Sequence, residues 1–147
     1  MLIQGTDVEI PLSVRERTMN EEKKYIGKLA ASFINDDDII IIDSSSTSSM
    51  IITHLQGKSG LTIITNGLKI AIIAGELTNA KVYCLGGRLR GNSQSFVGVQ
   101  CIDSLRYYNA NKLFFSCRGI DVDRGIMDSS DDEAHLRREM IAHSSEV

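Results

Sequence analysis

The chain has 147 residues, 42% of them hydrophobic, which is enough apolar material for one core and one domain of ordinary size. Sixteen basic residues stand against nineteen acidic ones, a formal net charge of -3, and that sign argues against a phosphate backbone as the direct partner of this segment. The longest strongly apolar run, Ile39 to Ile42, is four residues, whereas crossing a bilayer takes about twenty; a soluble, cytoplasmic protein without membrane contact is expected.

The stretch from Met1 to Asn20 carries the only proline, Pro11, and scattered charge, and reads as an extended or linker-like connector, residues 1–20, and not as a core element. From Glu21 to Ile34, the apolar positions Ile26, Leu29, Ala30, Phe33 and Ile34 fall on one helical face, with Lys23, Lys24 and Lys28 mainly on its wet side. Asp36-Asp37-Asp38 ends that helix, and Ile39 to Ile42 follows as the β-branched run required of a strand buried on both faces. The alternation repeats: helix from Met50 to Leu55, strand from Leu61 to Thr65, helix from Leu68 to Gly75, strand from Lys81 to Leu85. Val99, Ile102 and Leu105 mark another helix, Leu113 to Ser116 another strand, and Asp132 to Ser144 a last helix with Leu136, Met140 and Ile141 inward. The sum is an α/β fold, a doubly wound, mainly parallel sheet with helices on both faces, a Rossmann-like three-layer domain over residues 21–147.

In such sheets ligands collect beyond the carboxyl ends of the strands. The first strand is followed by Asp43-Ser44-Ser45-Ser46-Thr47, small hydroxyl residues leading into a helix start, where backbone N–H groups and the dipole favour an anion. Asp43 itself would accept hydrogen bonds from sugar hydroxyls. The alternative is that the run only caps the helix. Thr65-Asn66 and Gly86-Gly87 follow the next two strands; each suits a turn by itself, but three adjacent tips of this kind make a polar lip for a small ligand. Arg90, Lys112 and Arg118 are the available cations, each also readable as solvated surface charge.

Cys84, Cys101 and Cys117 are odd in number, and neither they nor His54, His135 and His143 fall at metal-ligand spacings. Neither a metal nor a cofactor is expected; the thiols read as free and mostly buried and the histidines as surface groups. No nucleophile elbow, dinucleotide fingerprint or phosphate-binding loop motif is present, so no catalytic residue is assigned and binding without chemistry is the expectation.

The order of these features resembles the C-terminal domain of DeoR-family repressors along almost the whole chain. The resemblance runs from Lys23-x-x-Ile26 and Ala30-Ala31 through Asp43-Ser44-Ser45-Ser46-Thr47, Thr65-Asn66 and Leu85-Gly86-Gly87-Arg88-Leu89-Arg90. It continues with Gly98, Lys112-Leu113-Phe114, Gly119-Ile120-Asp121 with Gly125, and Glu133-Ala134-x-x-Arg137-Arg138. Ser45 stands where the family favours glycine, which adds a side chain to the loop expected to receive an anion. The resemblance implies a sugar-phosphate sensor of a homo-oligomeric repressor that reaches DNA only through a winged helix-turn-helix of about sixty residues on its N-terminal side. It also implies a domain that continues beyond Val147. The ligand-binding set then comprises Asp43, Ser44, Ser45, Ser46, Thr47, Thr65, Asn66, Gly86, Gly87, Arg90 and Lys112. A more distant resemblance to ribose-5-phosphate isomerase supplies the alternative, a sugar-phosphate isomerase-like enzyme or its remnant. Against it, no lysine follows Lys112, and Met127 to Asp132 offers carboxylates without the cation that a proton shuttle needs.

Overall fold

The computed structural model describes residues 9–128 and 130–147. Five strands form one parallel sheet in the order β3-β2-β1-β6-β9: β1 (Ile39–Ile42), β2 (Thr62–Thr65), β3 (Lys81–Cys84), β6 (Ala110–Phe114) and β9 (Ser144–Glu146). Two antiparallel hairpins lie outside it, β4 (Arg88–Arg90) with β5 (Ser95–Val97), and β7 (Gly119–Asp121) with β8 (Gly125–Met127). Pairing runs Ile40 to Ile63 on one side of β1 and Ile40 to Lys112 on the other.

The isoleucine run explains why β1 is central. Successive side chains on a strand point to opposite faces, and Ile40, Ile41 and Ile42 are each 0% exposed, so both faces are covered. Ile40 and Ile42 join Ile63, Ile52, Leu55 and Ile70 in one apolar cluster, beneath α2 (Asn20–Ser32), α3 (Ser49–Ile52) and α4 (Leu68–Leu77). Ile41 joins Ile64, Cys101, Leu105, Leu136 and Met140 in the other, beneath α5 (Val99–Leu105) and α6 (Asp131–Ala142). The expected three-layer α/β architecture is the one observed. Among the described residues, no helix is long and apolar enough to cross a membrane.

Four local expectations are corrected. The lead-in is not wholly extended: Leu12–Arg15 forms a single helical turn, α1, with Leu12 buried, while the part from Met1 to Val8 lies outside the described residues. On α2 the buried residues are Gly27 and Ala31, and Ile26, Leu29 and Phe33 are exposed. The cause is close packing on α3, since a Cβ at Gly27 would lie 2.6 Å from Met50 Cβ. The strand expected at Leu113 to Ser116 begins earlier, at Ala110, because Asn111 and Lys112 are held by tertiary partners. Asn111 Oδ1 accepts the Ile39 N–H at 2.7 Å, and Lys112 Nζ donates to Asp38 at 2.7 Å. Finally, Cys84 and Cys117 are exposed and only Cys101 is buried.

Candidate functional site

Strand order reverses beside β1: the chain steps outward through β2 and β3, then returns to the other side of β1 as β6. The tips of β1 and β6 therefore splay at a switch point, the place where open parallel sheets bind ligands. A hollow of about 40 Å³ opens there, with Ser44 and Ser45 after β1, and Ser116, Cys117 and Arg118 after β6. Asp128 follows β8, Glu133 and Arg137 project from α6, Ser93 comes from the β4–β5 hairpin, and Glu9 and Arg15 from the lead-in.

Its floor is a buried ionic network. Asp43, 1% exposed, accepts the Ser45 N–H at 3.2 Å on one oxygen. Its other oxygen accepts the Ser116 N–H at 3.1 Å and the Arg137 guanidinium at 3.4 Å. Arg137 also pairs with Asp128, and with Glu133 at 3.6 Å. The latter pair is set by helical geometry, since residues four apart on α6 share a face. Glu133 accepts the Ser95 hydroxyl at 2.9 Å and pairs with Arg90 at 2.5 Å, while Arg90 also holds Glu9 at 2.7 Å. Burying these carboxylates is tolerable only because guanidinium and amide donors meet them. Four carboxylates thus share two guanidinium groups, whereas Arg15 and Arg118 on the wall make no ion pair among the described residues.

The residues singled out from the sequence divide into three groups. Ser44 and Ser45 line the hollow; the Ser45 hydroxyl also accepts the Ser48 N–H at 3.0 Å, in the turn that leads into α3. Asp43 and Arg90 stand behind the wall and position Arg137 and Glu133. The others are engaged elsewhere. Ser46 O accepts the Ser49 hydroxyl, and Thr47 faces an apolar trough with Ile26 and Phe114. Thr65 Oγ1 accepts the Gly67 N–H at 3.0 Å, and Asn66 is stitched to Phe96 of β5 through its side-chain amide and its carbonyl. Gly86 is exposed at the turn into β4, and Gly87 has φ +127 with Val97 O where a Cβ would be, so only glycine fits there. Lys112 is not brought to the hollow; its ammonium is held by Asp38, at the opposite end of β1.

Arg137, Glu133, Asp128, Ser93, Ser116, Cys117, Glu9 and Arg15 complete the site without having been singled out as ligand-binding. For Arg137 a signal existed, an acid and a base four residues apart on a helix, but its partner Asp43 lies 94 positions earlier.

Three groups in or beside the sheet have shifted titration, Asp38, Cys84 and Cys101, and burial raises the Cys84 thiol. Burial pushes Asp38 upward, but the Lys112 hydrogen bond, the Asn35 N–H and the charges of Lys112 and Lys58 outweigh it and hold the carboxyl below its ordinary value. Burial raises the Cys101 thiol to about 12, with the neighbouring Cys84 adding to the effect, so Cys101 stays protonated and inert.

The arrangement is that of an α/β domain with a polar, ionic hollow at the tips of its parallel strands. Residues 18–147 match the family model described as the DeoR C terminal sensor domain, and the chain belongs to that family. Over 145 residues, 99% of the chain and 56% of the relative, it is 40% identical to the uncharacterized HTH-type transcriptional regulator YulB of Bacillus subtilis. It is 34% identical to the lactose phosphotransferase system repressor of Staphylococcus epidermidis, over 86% of the chain and 50% of the relative. With the HTH-type transcriptional repressor GlcR of Bacillus subtilis the identity is 33%, over 92% and 52%. The chain spans about half the length of the curated relatives it matches.

Proposed function

We propose that this domain senses a phosphorylated sugar for a transcriptional repressor, and that it binds the ligand without transforming it. The observation that carries the reading is the hollow at the β1 and β6 tips, which combines an acidic floor with a cationic, hydroxyl-bearing rim. Carboxylates accept hydrogen bonds from sugar hydroxyls, and guanidinium groups make charge-assisted hydrogen bonds to phosphate. The polarity orients the ligand: hydroxyls toward Asp128 and Glu133, phosphate toward Arg118, Arg137 and the serine hydroxyls of Ser44, Ser45 and Ser116. Relatives named as repressors, one of a lactose phosphotransferase system, support a regulatory role over an isomerase-like one. Among the described residues, no lysine stands on the pocket wall to pair with a carboxylate base.

In the intact regulator, DNA is contacted by a helix-turn-helix module on the N-terminal side, and the protein acts in the cytoplasm as a homo-oligomer whose geometry the ligand shifts. The test is calorimetry with triose, pentose and hexose phosphates beside the same sugars without phosphate. Heat from at least one phosphorylated compound, absent for its unphosphorylated partner and lost in Arg118→Ala, is the expected result. Equal heats for the two, or none for any compound with both the folded wild type and the folded Leu12→Ala variant, would refute the reading.

A further inference from the structure

The hollow of about 40 Å³ has room for one or two waters at about 30 Å³ each, whereas a cavity that takes up benzene measures about 150 Å³. A phosphorylated sugar is larger than benzene. If the pocket takes one, part of its wall must give way, and the parts of the wall are held very differently. Ser44, Ser45 and Ser116 are the continuations of central strands, and Glu133 and Arg137 sit on a helix seated in the core.

Glu9 and Arg15 belong instead to the lead-in, whose one helical turn, Leu12–Arg15, is too short to hold itself. The lead-in is held by a few contacts. Leu12 is buried, and its N–H donates to Asn92 O at 2.8 Å. Glu16 pairs with Lys69 at 2.6 Å, and Glu9 with Arg90 at 2.7 Å. The same residues sit on both sides of the loop after β1: Glu9 and Arg15 border the candidate pocket, and Leu12 and Glu16 lie beside Ser44, Ser45 and Gly67. The Glu9 carboxylate, moreover, already occupies a guanidinium of the network with an anion.

We infer that residues 9–16 form a strap across the pocket that the ligand displaces, so that occupancy is reported by release of this segment; the inference rests on the sugar-phosphate reading above. An incoming phosphate meets the Glu9 carboxylate on the pocket wall, and the repulsion of like charges favours withdrawal of Glu9 from Arg90. The strap then swings out and Leu12 leaves its seat. The family match begins at residue 18, so the strap lies immediately before the matched domain, where its release acts on whatever is attached on that side.

Trypsin reads the strap directly, because Arg15 and Arg17 lie in it and just beyond it. In the ligand-free chain, Leu12→Ala is expected to speed cleavage after these arginines several-fold while circular dichroism shows the sheet intact; unchanged cleavage overturns the strap. A sugar phosphate that binds the wild type should speed the same cleavages, and Glu9→Gln should tighten its binding several-fold. Slower cleavage with ligand, or weaker binding by Glu9→Gln, would make the segment part of the ligand's wall and overturn the inference while the pocket reading stands. Should no compound bind the wild type, the panel is repeated on Leu12→Ala. Binding that emerges only there supports the strap, and its absence there removes both the inference and the pocket reading.

Discussion

Replacing Asp43 by alanine is the sharpest probe of how the site is built. The carboxylate is 1% exposed and receives the Ser45 N–H at 3.2 Å, the Ser116 N–H at 3.1 Å and Arg137 at 3.4 Å. In Asp43→Ala these donors lose a charged acceptor. A buried donor left unsatisfied costs about 1–3 kcal/mol. Ser45 is buried and Ser116 only partly so, which places the two amides together at about 2–4 kcal/mol. Arg137 keeps Asp128 and Glu133, so its contribution is smaller. Against a total stability of about 5–15 kcal/mol for a domain of this kind, the substitution should move the urea midpoint clearly downward without changing the slope. Asp43→Asn, which retains an acceptor oxygen for one amide, should lose roughly half as much. A loss under about 0.5 kcal/mol in Asp43→Ala, the level of an ordinary surface change, would refute the view that Asp43 ties the β1 and β6 tips together.

Three further predictions rest on other parts of the fold. Gly27→Ala should destabilise by about 1–3 kcal/mol in the same urea titration, because the new Cβ meets Met50 Cβ at 2.6 Å and Met50 C at 2.7 Å; an unchanged midpoint would contradict the close packing of α2 on α3. Lys112→Met should flatten the acid side of the stability curve. The depressed Asp38 pKa means that its contribution is complete above the unfolded value of about 3.9 and is lost as pH falls through the lower folded value. Urea midpoints between pH 6 and 3 test this, and an unchanged pH dependence would count against the pair. For the thiols, Cys101 should resist alkylation in the native chain, given its burial and a pKa of about 12, while exposed Cys117 on the pocket wall should react, and do so more slowly once ligand is bound. Mass spectrometry of the labelled chain reads both.

The sequence made the sheet legible where burial is two-sided. Ile39 to Ile42 and Thr62 to Thr65 need no tertiary knowledge, because unbroken β-branched runs of that length suit strands covered on both faces. The hairpins did not show, because their stability is borrowed from distant partners. Arg88-Leu89-Arg90 is mostly exposed and polar, and β5 is fixed by Phe96 N–H donating to Asn66 O at 2.7 Å, 30 residues apart in the chain. On α2 the periodicity was right but the buried face was misplaced. A glycine gives no hydrophobic signal, yet Gly27 permits the closest approach of helix to helix.

The candidate site was legible in its location and less so in its membership. The rule that ligands gather at strand tips led to Ser44 and Ser45, but Lys112 was expected just before its strand and lies within it, which directs its side chain to Asp38. The residues that complete the floor, Arg137, Asp128 and Glu133, come from beyond residue 127, and only the folded chain brings them against Asp43.

The central claim is that a phosphorylated sugar rests between the β1 and β6 tips. A crystal structure of the chain with the tightest compound from the calorimetric panel tests it most directly. Ligand density is expected against Ser44, Ser45, Arg118 and Arg137, with Glu9 withdrawn from Arg90. Density in the apolar trough beside Ile26 and Phe114 instead, with the Arg137 network undisturbed, would contradict it.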